Sequence, residues 1–156
     1  MKRTCLANDG CPIARALDVI GDWWSLLIIR DALLGRRRFG EFERSLHLAR
    51  NILSQRLRKL VEQGILTTGP ASDGSAYQEY VLTKKGRGIF PILVALRQWT
   101  EEFDASPDEI ATILVDRDSG RPVRKLALHA QDGRELAFAD TTLKPRPAKR
   151  RARAAR

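Results

Sequence analysis

The sequence predicts a mainly α fold with a small β component. Three observations predict it. Apolar residues recur at spacings of three and four through most of residues 12–103. One hairpin pattern, residues 65–83, interrupts that run. After Ser106-Pro107 the pattern changes to short segments joined by Gly-containing turns.

Residues 1–10 read as a polar, flexible arm. Cys11-Pro12 opens the first helix, with Cys11 near the N-cap and Pro12 in the first turn, where a missing N–H does no harm. Ile13, Leu17 and Ile20 form its apolar stripe, and Gly21 ends it. Asp22 is a suitable N-cap for a second helix, Trp23 to Leu34. That helix is apolar on most sides and should form the buried centre. Arg36, Arg37 and Arg38 follow Gly35, as a solvated loop or as a clamp for a phosphate.

Phe39, Phe42 and Leu46 mark one face of a third helix. A turn from Leu46 to Arg50 leads to a fourth, with Leu53, Leu57, Leu60 and Val61 beneath, stopping at Gly64. At about 100° per residue, Asn51, Ser54, Gln55, Arg58 and Glu62 gather on the opposite face. Amide, hydroxyl and guanidinium groups are the types that pair with base edges and phosphates in a major groove. The alternative is an ordinary surface helix with a solvated side. Ile65 to Thr68 and Tyr77 to Thr83 read as the strands of a hairpin, with Tyr80 and Leu82 on one side and Glu79, Val81 and Thr83 on the other. Helix, turn, helix and hairpin is the order of a winged helix-turn-helix. The hairpin is then the wing, and its tip, Ser72, Asp73, Gly74 and Ser75, carries no Lys or Arg.

Lys84 to Phe103 reads as a long helix that Pro91 kinks or restarts. It has more apolar surface than one small domain needs, so one face should pack inward and another meet a second subunit. Residues 11–104 thus form a DNA-binding and dimerisation domain. Ala111 to Val115, Val123 to Ala130 and Leu136 to Ala139 read as strands of a small C-terminal β appendage spanning 107–143. Residues 144–156, KPRPAKRRARAAR, read as a disordered basic tail.

The 156 residues suffice for one core, or one core plus an appendage. The net charge of +9 is uneven. Residues 1–100 carry 16 Lys+Arg against 9 Asp+Glu, residues 101–143 carry 5 against 10, and the last thirteen carry 7 and none. A basic helix-turn-helix half favours double-stranded DNA through phosphate neutralisation. No apolar run approaches the roughly 18 to 20 residues of a membrane span, and no basic amphipathic helix suggests a membrane surface. The N-terminus lacks the apolar core of a signal peptide, so a cytoplasmic protein is expected. There is no Gly-rich phosphate loop, no nucleophile with a nearby base and no paired-carboxylate motif, which argues against an enzyme. Two Cys and two His at these spacings make no recognisable metal site, and nothing calls for a cofactor. A regulator that binds DNA leads. A winged helix whose polar face meets protein is the alternative.

The blocks CPIARALDVIGDWW, RDALLGRRRFGEF, NILSQRLRKLVEQGIL, YQEYVLTKKG and PILVALRQW, in that order, resemble the HxlR-type winged helix-turn-helix transcriptional regulators of bacteria. The resemblance covers Cys11 to about Trp99. It implies a homodimer on a palindromic operator, joined through the first and last helices of the domain, here Ile13, Leu17, Phe90, Leu93, Leu96 and Trp99, and a dimeric repressor is the leading reading. It implies DNA-facing positions at Arg50, Asn51, Ser54, Gln55 and Arg58, with Arg36, Arg37 and Arg38 near the backbone. Two departures stand out. Many members have Gly-Lys-Trp where this chain has Asp22-Trp23-Trp24, and Gly-Ile-Ser where it has His47-Leu48-Ala49, so the usual Ser cap is absent.

Some members sense oxidants or electrophiles through a cysteine placed like Cys11, which implies an oxidant or small-molecule effector. A thiol at a helix N-terminus sits in the positive end of the dipole, which favours thiolate. The alternative is a small packed residue with no redox role. Cys5 is a resolving thiol or part of a loose arm.

Overall fold

The computed structural model describes residues 10–145, so Cys5 and most of the basic tail lie outside the described residues. The fold is a mainly helical winged helix-turn-helix with a hairpin wing, followed by a small two-stranded sheet. The chain falls into two units, the first ending at Ile110 and the second beginning at Ala111.

In the first unit α1 is Pro12–Ile20, with Cys11 as N-cap. Helix α2, Trp23–Leu33, begins at Asp22, whose side chain accepts the Ser25 N–H at 3.0 Å and the Ser25 hydroxyl at 2.7 Å. It is the central helix, with Ser25, Ile28, Ile29 and Asp31 buried. Helix α3 is Phe39–Leu46 and α4 is Arg50–Glu62. Phe42, Leu53, Leu57 and Leu60 are fully buried with Ile28 and Ile29 in one core. Each such side chain contributes about 1.5–3 kcal/mol from burial. Gly64, at φ +66°, ends α4 in the left-handed region.

The wing pairs β1, Leu66–Pro70, with β2, Gln78–Leu82, antiparallel, Leu66 opposite Leu82 and Pro70 opposite Gln78. The expected alternation along β2 fails at Glu79, which is only 4% exposed. Its burial is tolerated because three partners surround the carboxylate. Pro91 marks a restart: α5 is Lys84–Arg87, and α6, Phe90–Phe103, begins afresh with Pro91 in its first turn. Gly86 sits so tightly that a Cβ there would lie 2.3 Å from the Ile65 carbonyl oxygen, which fixes α5 on the α4–β1 corner.

The second unit has far less strand than expected. Among the described residues only β3, Leu128–His129, pairs with β4, Glu135–Leu136, and one bridge joins Val115 to Pro122. The turns are where hydrogen bonds concentrate: the Asp116 carboxylate accepts the Ser119 N–H at 2.7 Å, and Asp132 accepts the Arg134 N–H at 3.0 Å. Ile113, Leu128 and Phe138 stay exposed, so the segments between turns have no apolar layer to hold them as longer strands.

Candidate nucleic-acid interface

Helix α4 is held by its leucine underside, and that sets its outer face. Leu53, Leu57 and Leu60 recur at spacings of four and three and are buried completely. Asn51, Gln55 and Arg58 therefore stand on the other side, all exposed, with Ser54 half-buried at the edge. Among the described residues, the side chains of these four make no hydrogen bond or ion pair. Two other cations of α4 turn inward. Arg56 Nε lies 3.4 Å from Asp22, and Lys59 Nζ donates to the Asp18 carbonyl at 2.9 Å.

The turn before α4 is His47 to Ala49. His47 adopts the left-handed conformation, φ 50° and ψ 37°, normally left to Gly. Leu48 is buried and anchors the turn. Ala49 is the N-cap and has no side chain that can bond the first N–H groups of α4. Arg50 starts the helix, exposed, 3.6 Å from Glu43 and over the Phe39 ring at 5.3 Å.

The cations of the arginine run are paired while staying partly open to solvent, Arg37 by 50% of its side chain. Each guanidinium faces a carboxylate from another element. Arg36 Nη1 lies 3.6 Å from buried Asp31, which also takes Arg30 Nη2 at 2.9 Å. Arg37 Nη1 lies 3.5 Å from Glu79. Arg38 donates to Asp73 at the wing tip, and its Nε lies 3.8 Å from Glu79. The backbone is tied as well. The Tyr80 N–H donates to the Arg37 carbonyl at 2.8 Å, which joins the loop to the wing. The Glu41 carboxylate reaches back to accept the N–H groups of Arg37 at 2.7 Å and Arg38 at 2.9 Å. Those two N–H groups, Arg38 first, hold Glu41 below the usual carboxylate range. Asp73 is held well below it, first by the Arg38 guanidinium and then by the Ser75 N–H.

One groove gathers Arg38, Arg44, Arg50, Tyr77 and Gln78 between α3 and the wing. Arg44 was not singled out from the sequence. It sits on the solvent side of α3, two residues past buried Phe42, and spacing alone marks it only as exposed. The partners Glu79 and Asp73 were missed too, because pairing across 35 and more residues leaves no local signal. Ser72 and Ser75 complete the tip around Gly74, which turns at φ +74°.

Cys11, the N-cap of α1, is exposed. Ile13, Leu17, Phe90, Leu96 and Trp99 leave much of their surface open on α1 and α6, Ile13 by 69%. Leu93 differs: it packs against the core, because it lies on the inward side of α6. Among the described residues no group of three His, Cys, Asp or Glu could hold a metal, and no helix is long and apolar enough to cross a membrane.

Comparison with known proteins gives this arrangement a context. The HxlR-like helix-turn-helix family pattern matches residues 19–107. An uncharacterized HTH-type transcriptional regulator of Mycobacterium tuberculosis is 36% identical over 139 residues, 89% of this chain and 88% of that protein. The crystal structure of PA1607, described as a transcription factor candidate, is similar with a TM-score of 0.85 at 55% identity, covering 90% of this chain and 99% of that one. Both matches are longer than the first unit, so part of the second unit has a counterpart in each. The redox regulator HypR in its oxidized form is similar with a TM-score of 0.55 at 31% identity, over 62% of this chain and 100% of that one. With its helix-turn-helix, its wing and this match over more than half its length, the chain belongs to the HxlR-like helix-turn-helix family of transcriptional regulators, which are not enzymes.

Proposed function

We propose that the chain is a homodimeric repressor that reads a palindromic operator, one α4 per half-site. The carrying observation is the outer face of α4, where Asn51, Gln55 and Arg58 are exposed without side-chain partners among the described residues while the leucines below are buried. Asn and Gln pair with adenine edges, and Arg with guanine or phosphate. Arg50 and Ser54 flank that face, and the uncapped start of α4 leaves N–H groups for a phosphate. Arg36, Arg37 and Arg38 would lie along the backbone with the wing residues Ser72 to Ser75. The subunit contact would use Ile13, Leu17, Phe90, Leu96 and Trp99, whose exposed apolar surface on α1 and α6 supports it. Residues 11–104 would form this DNA-binding and dimerisation domain, and 107–143 the appendage.

Sequencing the genomic fragments that the protein retains tests the reading. An inverted repeat with half-sites about one helical turn apart is expected, with higher transcription of the adjoining gene when the protein is deleted. If the protein binds no duplex DNA even at low salt, the winged helix serves as a protein-interaction module instead.

A thiol response is a second reading. Cys11 is exposed at the start of a proposed dimer helix, and HypR, similar over much of this chain, is a redox regulator. Oxidation there would shift the two recognition helices relative to each other. Cys11→Ser should abolish any oxidant effect on DNA binding, and a variant that still responds rules Cys11 out.

A further inference from the structure

Arg38 is fixed from three sides. Its Nη2 donates to Asp73 Oδ2, its Nε lies 3.8 Å from Glu79 Oε1, and its Cζ is 5.9 Å from the Tyr77 ring centroid. The two carboxylates are fixed in turn. Asp73 Oδ1 accepts the Ser75 N–H at 3.1 Å, and buried Glu79 accepts the Ser72 hydroxyl at 3.0 Å. The wing tip and this guanidinium are one hydrogen-bonded assembly.

A guanidinium has five N–H donors in a rigid fork, and two carboxylates do not exhaust them. The Arg38 side chain keeps 35% of its surface exposed and lines the groove that also holds Arg50, the first residue of α4. An arginine held in place before DNA arrives loses less side-chain freedom on binding.

We infer that Asp73 is a positioning residue for DNA binding: it holds Arg38 against the wing so that the remaining donors meet a backbone phosphate next to the start of α4. The inference rests on the operator reading above. It carries a sign that charge alone does not. Asp73 is an anion beside a polyanion, so by charge its removal should tighten binding. As a positioner, its removal weakens binding.

Asp73→Asn separates the two. The Asn carbonyl oxygen can still accept the Ser75 N–H, while its amide turns N–H groups toward the guanidinium and releases Arg38. Asp73 is exposed, so the fold should persist, which an unchanged urea midpoint verifies. Dissociation constants for operator duplex are measured by fluorescence anisotropy at one salt concentration. The wild type, Asp73→Asn, Arg38→Ala and the double variant are compared, with Gln55→Ala and Arg58→Ala as references. Ordering one such side chain is worth about 0.5–1.5 kcal/mol, so Asp73→Asn should weaken binding roughly twofold to twelvefold per half-site. The double variant should bind no more weakly than Arg38→Ala, because nothing remains to be positioned. Tighter or unchanged binding by Asp73→Asn, or additive losses in the double variant, overturns the inference while the operator reading stands. A wild type without duplex binding, or Gln55→Ala and Arg58→Ala both without effect, strikes the operator reading itself and takes the inference with it.

Discussion

Substituting Gln55 and its neighbour Leu57 separates what α4 reads from what holds it. Gln55 is exposed with no side-chain partner among the described residues, so Gln55→Ala should change folding stability by no more than about 0.5 kcal/mol. If its amide pairs with a base edge, the loss is about 1–3 kcal/mol per half-site, roughly 5- to 150-fold in affinity. In the proposed dimer, two half-sites would double the free energy. Arg58→Ala should behave alike. Leu57 is fully buried, so Leu57→Ala should remove about 2–5 kcal/mol of stability through lost burial and the cavity left behind. Anisotropy titration with operator duplex at fixed salt gives the first quantity, and urea denaturation of each variant gives the second. The reasoning fails if both polar variants bind within twofold of wild type. It fails as well if they unfold as readily as Leu57→Ala.

Three further substitutions test how the unit is held. Asp22→Ala removes the α2 cap and the partner of Arg56, and should cost about 1–2 kcal/mol in a urea titration; an unchanged midpoint would discount the cap. Gly86→Ala forces a Cβ onto the Ile65 carbonyl oxygen, so the loss should reach at least the about 1–3 kcal/mol usual for overpacking, and a neutral result would show that α5 can move off the corner. Glu41 has a folded-state pKa below its ordinary value of 4.5, so its contribution is complete above that value and is lost as pH falls through the folded one. Glu41→Gln should therefore lose less stability than wild type between about pH 6 and pH 3, as followed by urea midpoints, and parallel curves would contradict this.

The helices of the first unit were legible because each signal is local. Pro12 in a first turn, Asp22 as a cap and Gly64 after a leucine stripe all act within four residues. The α4 face was legible for the same reason, since helical spacing alone separates Gln55 from Leu57. The fate of Arg36, Arg37 and Arg38 was not. Their partners are Asp31, Glu79 and Asp73, and only the folded chain brings the last two near. Glu79 shows the reason well: period-two alternation put it on the polar side of β2, yet paired cations made its burial tolerable. The second unit misled in the other direction. Its turns were readable from Asp, Ser and Gly, but strand length depends on an apolar layer that the segments between turns lack.

The internal pairing of the arginine loop also bears on how the protein finds its target. Four cations, Arg30 among them, set against three carboxylates leave about one charge over, and that projects little field beyond a Debye length of about 8 Å at physiological salt. Random chromosome holds a protein mostly through such a field. On the proposed reading, loop cations that are already largely matched would add little to the time spent at each wrong stretch, and a larger share of the molecules would be left to occupy the few right ones.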